Sequence, residues 1–486
     1  MRGMWTTERV RVAEQRLMRR VSEGTLMRRA AFGVSVSAAR LLAERTGKVA
    51  GRRVVLLVGA GNNGGDALWA GAYLRRRGVG VVAVLLKPER AHPAGLAALR
   101  TAGGRVVHAD ATGDTVGELL AAADLVIDGI VGLSARGPLR PEAARAYEWI
   151  AAPVLAVDTP SGVDPDTGAV DGPAVQATAT VTFGARKPVH ALAPTYCGRV
   201  ELVDLGFQDE LGAPDMCALD DADVAAHWPV PEPADDKYTQ GVAGIAAGSA
   251  TYPGAAVLSA AGAVLATSGM VRYAGHAADA VRAHWPEIVA TGTVADAGRV
   301  QTWLTGPGIG TGTEGADMLR TVLAAGVPVC ADADALTLLA NHPEILDSRD
   351  PRTPLLLTPH DGEFARLVGE QPGPDRVRAA CAAARRFDAT LLLKGHATIV
   401  AAPDGRVVVN TPAGSWPATA GSGDVLAGML AALLAGGLDP LHAGGTAARV
   451  HALAAARAAA GAPTSASGIL AAVPETIRRL WRGDQP

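Results

Sequence analysis

Residues 53–86 restrict the possible folds more than any other stretch. Arg53-Val54-Val55-Leu56-Leu57-Val58 is almost wholly apolar, Gly59-Ala60-Gly61-Asn62-Asn63-Gly64-Gly65-Asp66 is a glycine-rich loop, Ala67 to Arg76 reads as a helix, and Val79 to Leu86 is apolar again. A strand without polar alternation is buried on both faces, and two such strands joined by a helix run parallel. More strands are predicted at Leu125–Asp128, Val154–Asp158 and Ala179–Phe183, the first two closing on an aspartate. Ligands of open parallel sheets bind at the carboxyl ends of the strands. Asn62 to Asp66, Asp128 and Asp158 are therefore expected along one edge. The N-terminal part is predicted to be a Rossmann-like, three-layer α/β domain over residues 1–212. Helices lead into it, with Val10, Ala13, Leu17 and Val21 at helical spacing.

A chain of 486 residues is too long for one ordinary domain. Residues 213–236 are rich in Pro and Asp (Pro214, Pro229, Pro231, Pro233) and are predicted to form a linker, with a short strand or helix left open at Asp220 to Val224. From Lys237 onward α/β units resume, each strand running into a polar or glycine loop. Gly306 to Gly310 follows Thr302–Thr305, Asp332 follows Val327 to Ala331, Pro359 to Glu363 follows Leu355 to Thr358, and Lys394-Gly395-His396 follows Thr390–Leu393. Residues 237–486 are expected to form a second α/β domain.

Its last loop, Ala418-Thr419-Ala420-Gly421-Ser422-Gly423-Asp424, precedes a helical run from Val425 to Leu434. Free N–H groups and the positive end of the helix dipole would face an anion there, ideally a phosphate. A carboxylate repels phosphate, so Asp424 reads as a base that takes a proton from a hydroxyl attacking phosphorus. On the loop alone a helix cap by Ser422 or Asp424 is the favoured reading, since short glycine motifs recur by chance. The other stretches decide for the base.

The net charge of −3 offers no basic field for nucleic acid. Cys197, Cys217, Cys330 and Cys381 are far apart and form no CxxC pair, which indicates neither zinc nor a disulfide framework and points to a reducing cytoplasm. Thr6 to Arg29 has no apolar signal core. The uncharged stretch Pro253 to Val271 barely reaches the length of a membrane span and reads as a buried helix of small residues. No membrane partner is expected. A homo-oligomer is expected, of a size the sequence does not give.

With both halves in view, the sequence resembles the bifunctional NAD(P)H-hydrate repair enzymes over nearly its whole length. The motifs are Gly59 to Asp66, Asp128-Gly129 with Gly132 to Pro138, and Val157 to Gly162 in the first half. In the second they are Gly248 to Ala256, Gly306 to Gly310, Asp332 to Leu336, Thr358 to Phe364, Leu393 to Thr398 and Ala420 to Gly428. The resemblance implies an NAD(P)H-hydrate epimerase followed by a ribokinase-like, ADP-dependent (S)-NAD(P)H-hydrate dehydratase, with NAD(P)H hydrate and ADP as substrates. It places the hydrate of the epimerase half on Asn62, Asn63, Gly64, Gly65, Asp66, Gly132, Leu133, Ser134, Ala135, Arg136, Gly137, Pro138 and Asp158, with Asp158 transferring the proton. It makes Asn63, Asp128 and Ser161 potassium ligands. For the dehydratase half it implies a hydrate site at Ala255, Gly308, His360 and Asp424, an ADP site at Lys394, Gly395, His396, Ala397, Thr398 and Gly423, magnesium, and Asp424 as the catalytic carboxylate.

Three positions depart from the family pattern. Asp361 stands where a Pro is frequent after the His, Trp416 lies in an unusual Gly-Ser-Trp-Pro run, and His396 sits where a small residue is common. Trp416 either covers the nucleotide or packs, with packing slightly favoured, and His396 reads by default as a surface histidine. Lys187 reaches either a substrate phosphate or solvent and is left outside the site. The rival function is a ribokinase-like kinase for a vitamin precursor fused to a nucleotide-binding domain; a second rival makes the first half an inactive binding module.

Overall fold

The computed structural model describes the chain apart from residues 23, 110–112, 133–135, 267–268, 412–413 and 484–486, and the side chains of 113 and 114. The chain divides into two compact units, Gly3–Asp215 and Met216–Pro486, with Met1 and Arg2 grouped with the second.

The chain opens with a short strand, β1 (Arg2–Met4); in the first unit two helices (Thr7–Met18 and Thr25–Thr46) then precede the sheet strands β2 (Arg53–Val58), β3 (Gly80–Leu85), β4 (Arg105–His108), β5 (Leu125–Gly129), β6 (Val154–Val157), β7 (Ala179–Phe183) and β8 (Arg199–Val203). They pair in parallel in the order β4-β3-β2-β5-β6-β7-β8. The order reverses between β2 and β5, which opens a crevice at the carboxyl edge. Val54, Leu56 and Val58 enter one apolar core, while Val55 and Leu57 enter another on the opposite face. That division explains the unbroken apolar run of β2: both of its faces are covered.

The glycine stretch after β2 is less of a loop than its composition suggests. The helix begins at Asn62 and runs to Arg76, so Asn62 to Asp66 form its first turns. Gly61, at φ 95°, makes the abrupt turn from strand to helix in a conformation that other residues rarely adopt.

The second unit has β9 (Met216–Ala218), β10 (Val242–Ala246), β11 (Met270–Ala274), β12 (Val289–Thr291), β13 (Thr302–Thr305), β14 (Val329–Ala331), β15 (Leu355–Leu357), β16 (Thr390–Leu393), β17 (Thr398–Ala401) and β18 (Val407–Asn410). Their order is β9-β18-β17-β16-β15-β14-β13-β10-β11-β12. From β12 to β16 the pairing is parallel; β16-β17 and β17-β18 are antiparallel. The helices Pro253–Ala266 and Ser422–Ala435 pack backbone to backbone: a Cβ at Gly428 would lie 2.0 Å from the Ser259 carbonyl oxygen. The uncharged stretch Pro253 to Val271 is thus a buried small-residue helix as far as Ala266, while Met270 and Val271 open β11 and 267–268 lie outside the described residues. Among the described residues no helix is long and apolar enough to cross a membrane.

The span 213–236 is not a bare linker. Cys217 in β9 pairs with Val408, and Asp220 and Asp223 form a reciprocal capping box on the helix Asp221–His227. Val224 is wholly buried, with Leu219 and Trp228 in the same core. Apolar residues at 216, 219, 224 and 228 tie this stretch to the second unit, and the boundary falls between Asp215 and Met216.

Candidate active sites

At the carboxyl edge of the first sheet, Asp158 follows β6 directly and takes a left-handed backbone, φ 70°. Outside glycine that conformation is strained and needs support from its surroundings. The support is a polar cluster with almost no access to water. Lys187 Nζ, 0% exposed, donates to Asp158 Oδ1 at 2.5 Å, to Thr182 Oγ1 at 2.9 Å and to the Phe183 carbonyl at 3.2 Å. The Thr182 hydroxyl donates to the same Asp158 oxygen at 2.9 Å. His190 accepts the Lys187 backbone N–H at Nδ1, so Nε2 carries the proton and donates to the Asp158 carbonyl at 3.0 Å. Burial holds that imidazole neutral, with its pKa down at about 4, and the Lys187 charge adds to the effect. Lys187 therefore reaches neither phosphate nor solvent, the two alternatives that its sequence context allowed. It is the counter-ion of Asp158.

Asn63, Asp128 and Ser161 meet nearby. The Asn63 amide nitrogen donates to the Val131 and Val157 carbonyls (2.8 and 2.7 Å), and the Val131 N–H donates to Ser161 Oγ (3.2 Å). Ser161 donates twice to Asp128, from its N–H at 2.9 Å and its hydroxyl at 2.7 Å. Asp128 and Asp158 thus hold loops together; neither caps a helix. With the Asn63 nitrogen fixed on backbone, its oxygen faces Gly132, where a Cβ would lie 2.8 Å away.

Two cavities occupy this edge. One, of about 1150 Å³, is lined by Asn62, Asn63, Asp66, Gly132 and Asp158, and also by Glu14 and Arg28 from the two leading helices. The other, of about 410 Å³, is lined by Gly132, Arg136, Gly137 and Pro138 together with Lys87 and Arg90. Arg136 is itself held by Asp164 at 3.0 Å and Asp166 at 2.6 Å. Gly64 and Gly65 are buried in the first turns of the Asn62–Arg76 helix. Leu133, Ser134 and Ala135 lie outside the described residues. Burial pushes the Asp66 carboxyl well up, and the charges of Asp158 and Glu14 add to it. Burial likewise raises Asp128, against the pull of its bonds from Ser161 and Ile130.

In the second unit Asp424 lies in the first turn of the helix that starts at Ser422, behind Gly421 at φ 79°. It makes no hydrogen bond to any described residue. Ser422 turns inward, its hydroxyl 3.1 Å from His451 Nε2. Neither side chain caps the helix, so the helix-cap alternative fails. Burial raises the Asp424 carboxyl to about 7, with Asp332 and Asp334 adding and Lys394 opposing. Lys394 Nζ donates to Asp332 Oδ1 at 2.7 Å and stands 3.7 Å from Glu363 Oε2. A Cβ on Gly423 would be 3.7 Å from that Nζ. The loops after β14 and β16 and the Ser422 helix therefore converge on one point.

Gly308 sits against Ala255 and Tyr252, whose Cβ atoms would be 3.0 and 3.1 Å from a Cβ at 308. His360 caps the helix Asp361–Val368, accepting from the Gly362 N–H at 3.0 Å. Asp361 pairs with Arg376 at 2.6 Å, and Arg376 also donates to the Lys394 carbonyl at 3.0 Å. The unusual acid at 361 is thus neutralised by a residue that braces the Lys394 turn. Gly395 and His396 are exposed and Ala397 is buried in that turn, with Thr398 opening β17. Trp416 is 37% exposed. Among the described residues no three His, Cys, Asp or Glu side chains gather to hold a metal.

Lys187 was left outside the site on its sequence, and Glu14, which lines the larger cavity, was not singled out. Lys187 lay within view of the motif around Phe183, whereas Glu14 belongs to a helix with no motif at all.

Residues 23–189 match the family model described as YjeF-related protein N-terminus, and residues 243–473 match that of NAD(P)H-hydrate dehydratase. The bifunctional NAD(P)H-hydrate repair enzyme Nnr of Mycobacterium tuberculosis is 55% identical, with 90% of each chain covered. That of Mycobacterium leprae is 52% identical over 99% of this chain and 100% of its own. A solved ADP/ATP-dependent NAD(P)H-hydrate dehydratase from Bacillus subtilis, co-crystallised with ATP and Mg²⁺, is 27% identical; it covers 56% of this chain and 99% of its own, at a TM-score of 0.47.

Proposed function

The chain belongs to the bifunctional NAD(P)H-hydrate repair enzymes, and we propose how its own side chains divide that work. It is an enzyme of nicotinamide cofactor repair, an NAD(P)H-hydrate epimerase joined to an ADP-dependent dehydratase of the (S) hydrate, which releases AMP and phosphate.

In the first unit the hydrate lies along the two cavities, with the damaged ring in the larger one beside Asp158 and the rest of the dinucleotide toward Gly132 to Pro138. Asp158, held in one orientation by Lys187 and Thr182, exchanges the proton at the reacting ring. The oxygens of Asn63, Asp128 and Ser161 suit a weakly hydrated monovalent cation, since the Asn63 amide already has its nitrogen committed elsewhere. Potassium bound there would supply positive charge to the loop edge. Replacing it with lithium is expected to slow epimerisation.

In the second unit Asp424 takes the proton of the C6 hydroxyl, and that oxygen captures the β-phosphoryl of ADP as AMP leaves. The ring nitrogen then expels phosphate from C6, and loss of a C5 proton restores the dihydropyridine. Ala255, Gly308 and His360 border the hydrate, while the Lys394 turn and Gly423 take the nucleotide. Asp332, just after β14, is the carboxylate that suits a magnesium ion carried in on the phosphates, which would supply neutralising charge. A reducing cytoplasm fits four free cysteines, two of them buried.

The observation that supports this reading best is Asp424: a carboxyl with no partner among the described residues and a pKa raised to about 7, beside Lys394 at a helix N-terminus. The test supplies mixed hydrate epimers with ADP and magnesium and follows the absorbance of reduced nicotinamide. Full conversion with release of AMP and phosphate is expected, whereas a stable phosphorylated product would mark a kinase instead.

A further inference from the structure

We propose that Glu14, on the helix Thr7–Met18 and outside every motif of the N-terminal unit, is the proton donor that opens the hydrate ring during epimerisation, a step that rests on the epimerase assignment above. Glu14 lines the same cavity as Asp158, Asp66 and Asn63. Its carboxyl has no hydrogen bond or ion pair to any described residue, although Arg11, one turn away, is bonded to Glu8 at 2.8 Å. Asp66, 5% exposed, lines the cavity too, and its Oδ1 is buried with no partner. A buried polar atom without a partner is costly unless a ligand completes it. This cavity therefore presents one carboxylate tied to a buried ammonium and two carboxyls that no described residue bonds.

The chemistry asks for such a division. In the hydrate, C6 carries both the hydroxyl and the ring nitrogen N1. Inversion there requires one bond at C6 to break and re-form on the opposite face. Asp158 takes the hydroxyl proton, the oxygen forms a C=O bond to C6, the C6–N1 bond breaks, and N1 takes the proton of Glu14. Rotation about C5–C6 turns the other face of the aldehyde toward N1. N1 then returns its proton to Glu14 as it adds to C6, and Asp158 returns its own to the oxygen. No atom or electron is gained or lost. The N1 lone pair is delocalised into the ring double bond and the carboxamide, so it is a poor leaving group without an acid, and general acids of this kind contribute roughly 10²–10⁴-fold.

Burial raises the Glu14 carboxyl to about 7, Asp158 adds to the rise, and Lys187 and Arg11 oppose it. The groups that share its surroundings are Arg11 on its own helix, Arg28 on the next, Asp66 and His92 on the cavity wall, and the Asp158–Lys187 pair. A donor must be protonated, so epimerisation is expected to fall as pH rises through about 7.

The experiment compares full-length wild type, Glu14→Gln and Glu14→Asp on mixed epimers with ADP and magnesium, after subtraction of the enzyme-free epimerisation rate. Wild type must consume both epimers; if it does not, the epimerase assignment itself fails. Glu14→Gln is expected to consume the (S) form at the wild-type rate, to epimerise at least about 100-fold more slowly, and to lose the alkaline fall. Glu14→Asp should recover part of the rate and show the fall at a different pH. Epimerisation by Glu14→Gln within a few-fold of wild type, or an alkaline fall that persists in it, overturns the proposal. Should Glu14→Gln melt abnormally, the pH profile of Glu14→Asp decides: an unshifted profile refutes the role.

Discussion

At the scale of single residues, the two halves use carboxylates in opposite surroundings. Asp424 has no partner among the described residues, and burial raises it to about 7. A base works deprotonated, so dehydration should rise with pH through about 7, which a rate profile at saturating ADP would show. Asp424→Asn should bind ADP as tightly as wild type by calorimetry yet lose roughly 10²–10⁴ in turnover and flatten that profile; an Asn variant near the wild-type rate would remove Asp424 from its role. Asp158 is instead committed to Lys187, which is 0% exposed. Lys187→Met would leave a buried carboxylate without its counter-ion, at a cost of about 3–5 kcal/mol. Denaturant melts should show that loss in the transition of the N-terminal unit alone, with dehydration of the (S) form retained.

At the scale of elements, the small-residue helices carry the tightest constraint. A Cβ at Gly428 would meet the Ser259 carbonyl at 2.0 Å, an atom of backbone that cannot rotate away. Gly428→Ala should therefore separate two packed helices and cost about 1–3 kcal/mol or more, while Gly292→Ala, with nothing near its Cβ, should leave the melt unchanged. The parallel strands were legible in the sequence because burial on both faces writes itself as runs such as Val54 to Val58 and Leu355 to Leu357. The short, half-exposed strands were not: Arg105–His108 and Arg199–Val203 mix charge with apolar residues. Asp332, Lys394, Gly423 and Asp424 meet because strand ends meet, which the α/β alternation foretold. Lys187 and Glu14 escaped because burial of a charge leaves no mark in local sequence. Nothing around Lys187 distinguishes a solvated lysine from one sealed against Asp158, and Glu14 looks like any surface acid of an amphipathic helix.

At the scale of the whole molecule, the proposed function gives each unit its own reaction. On the proposed reading the first reaction draws on Glu14, Asp158 and Lys187, and the second on Ala255, Gly308, Lys394 and Asp424, so neither set borrows from the other. The only thing the two reactions must share is the hydrate, and a hydrate that leaves one site can reach the other through solution. Two full-length variants, each disabled in a different half, should therefore rescue one another. Asp158→Asn alone is expected to convert the (S) hydrate and then stall at the slow spontaneous rate of epimerisation, which also shows that its dehydratase half is folded. Asp424→Asn alone should epimerise but restore almost no reduced nicotinamide. Mixed in equal amounts, they should carry both epimers to completion, read as absorbance of reduced nicotinamide, at a rate that depends on the concentration of each protein. A mixture that stalls where Asp158→Asn stalls would mean that the hydrate does not pass between molecules, and that the two sites must act within one chain.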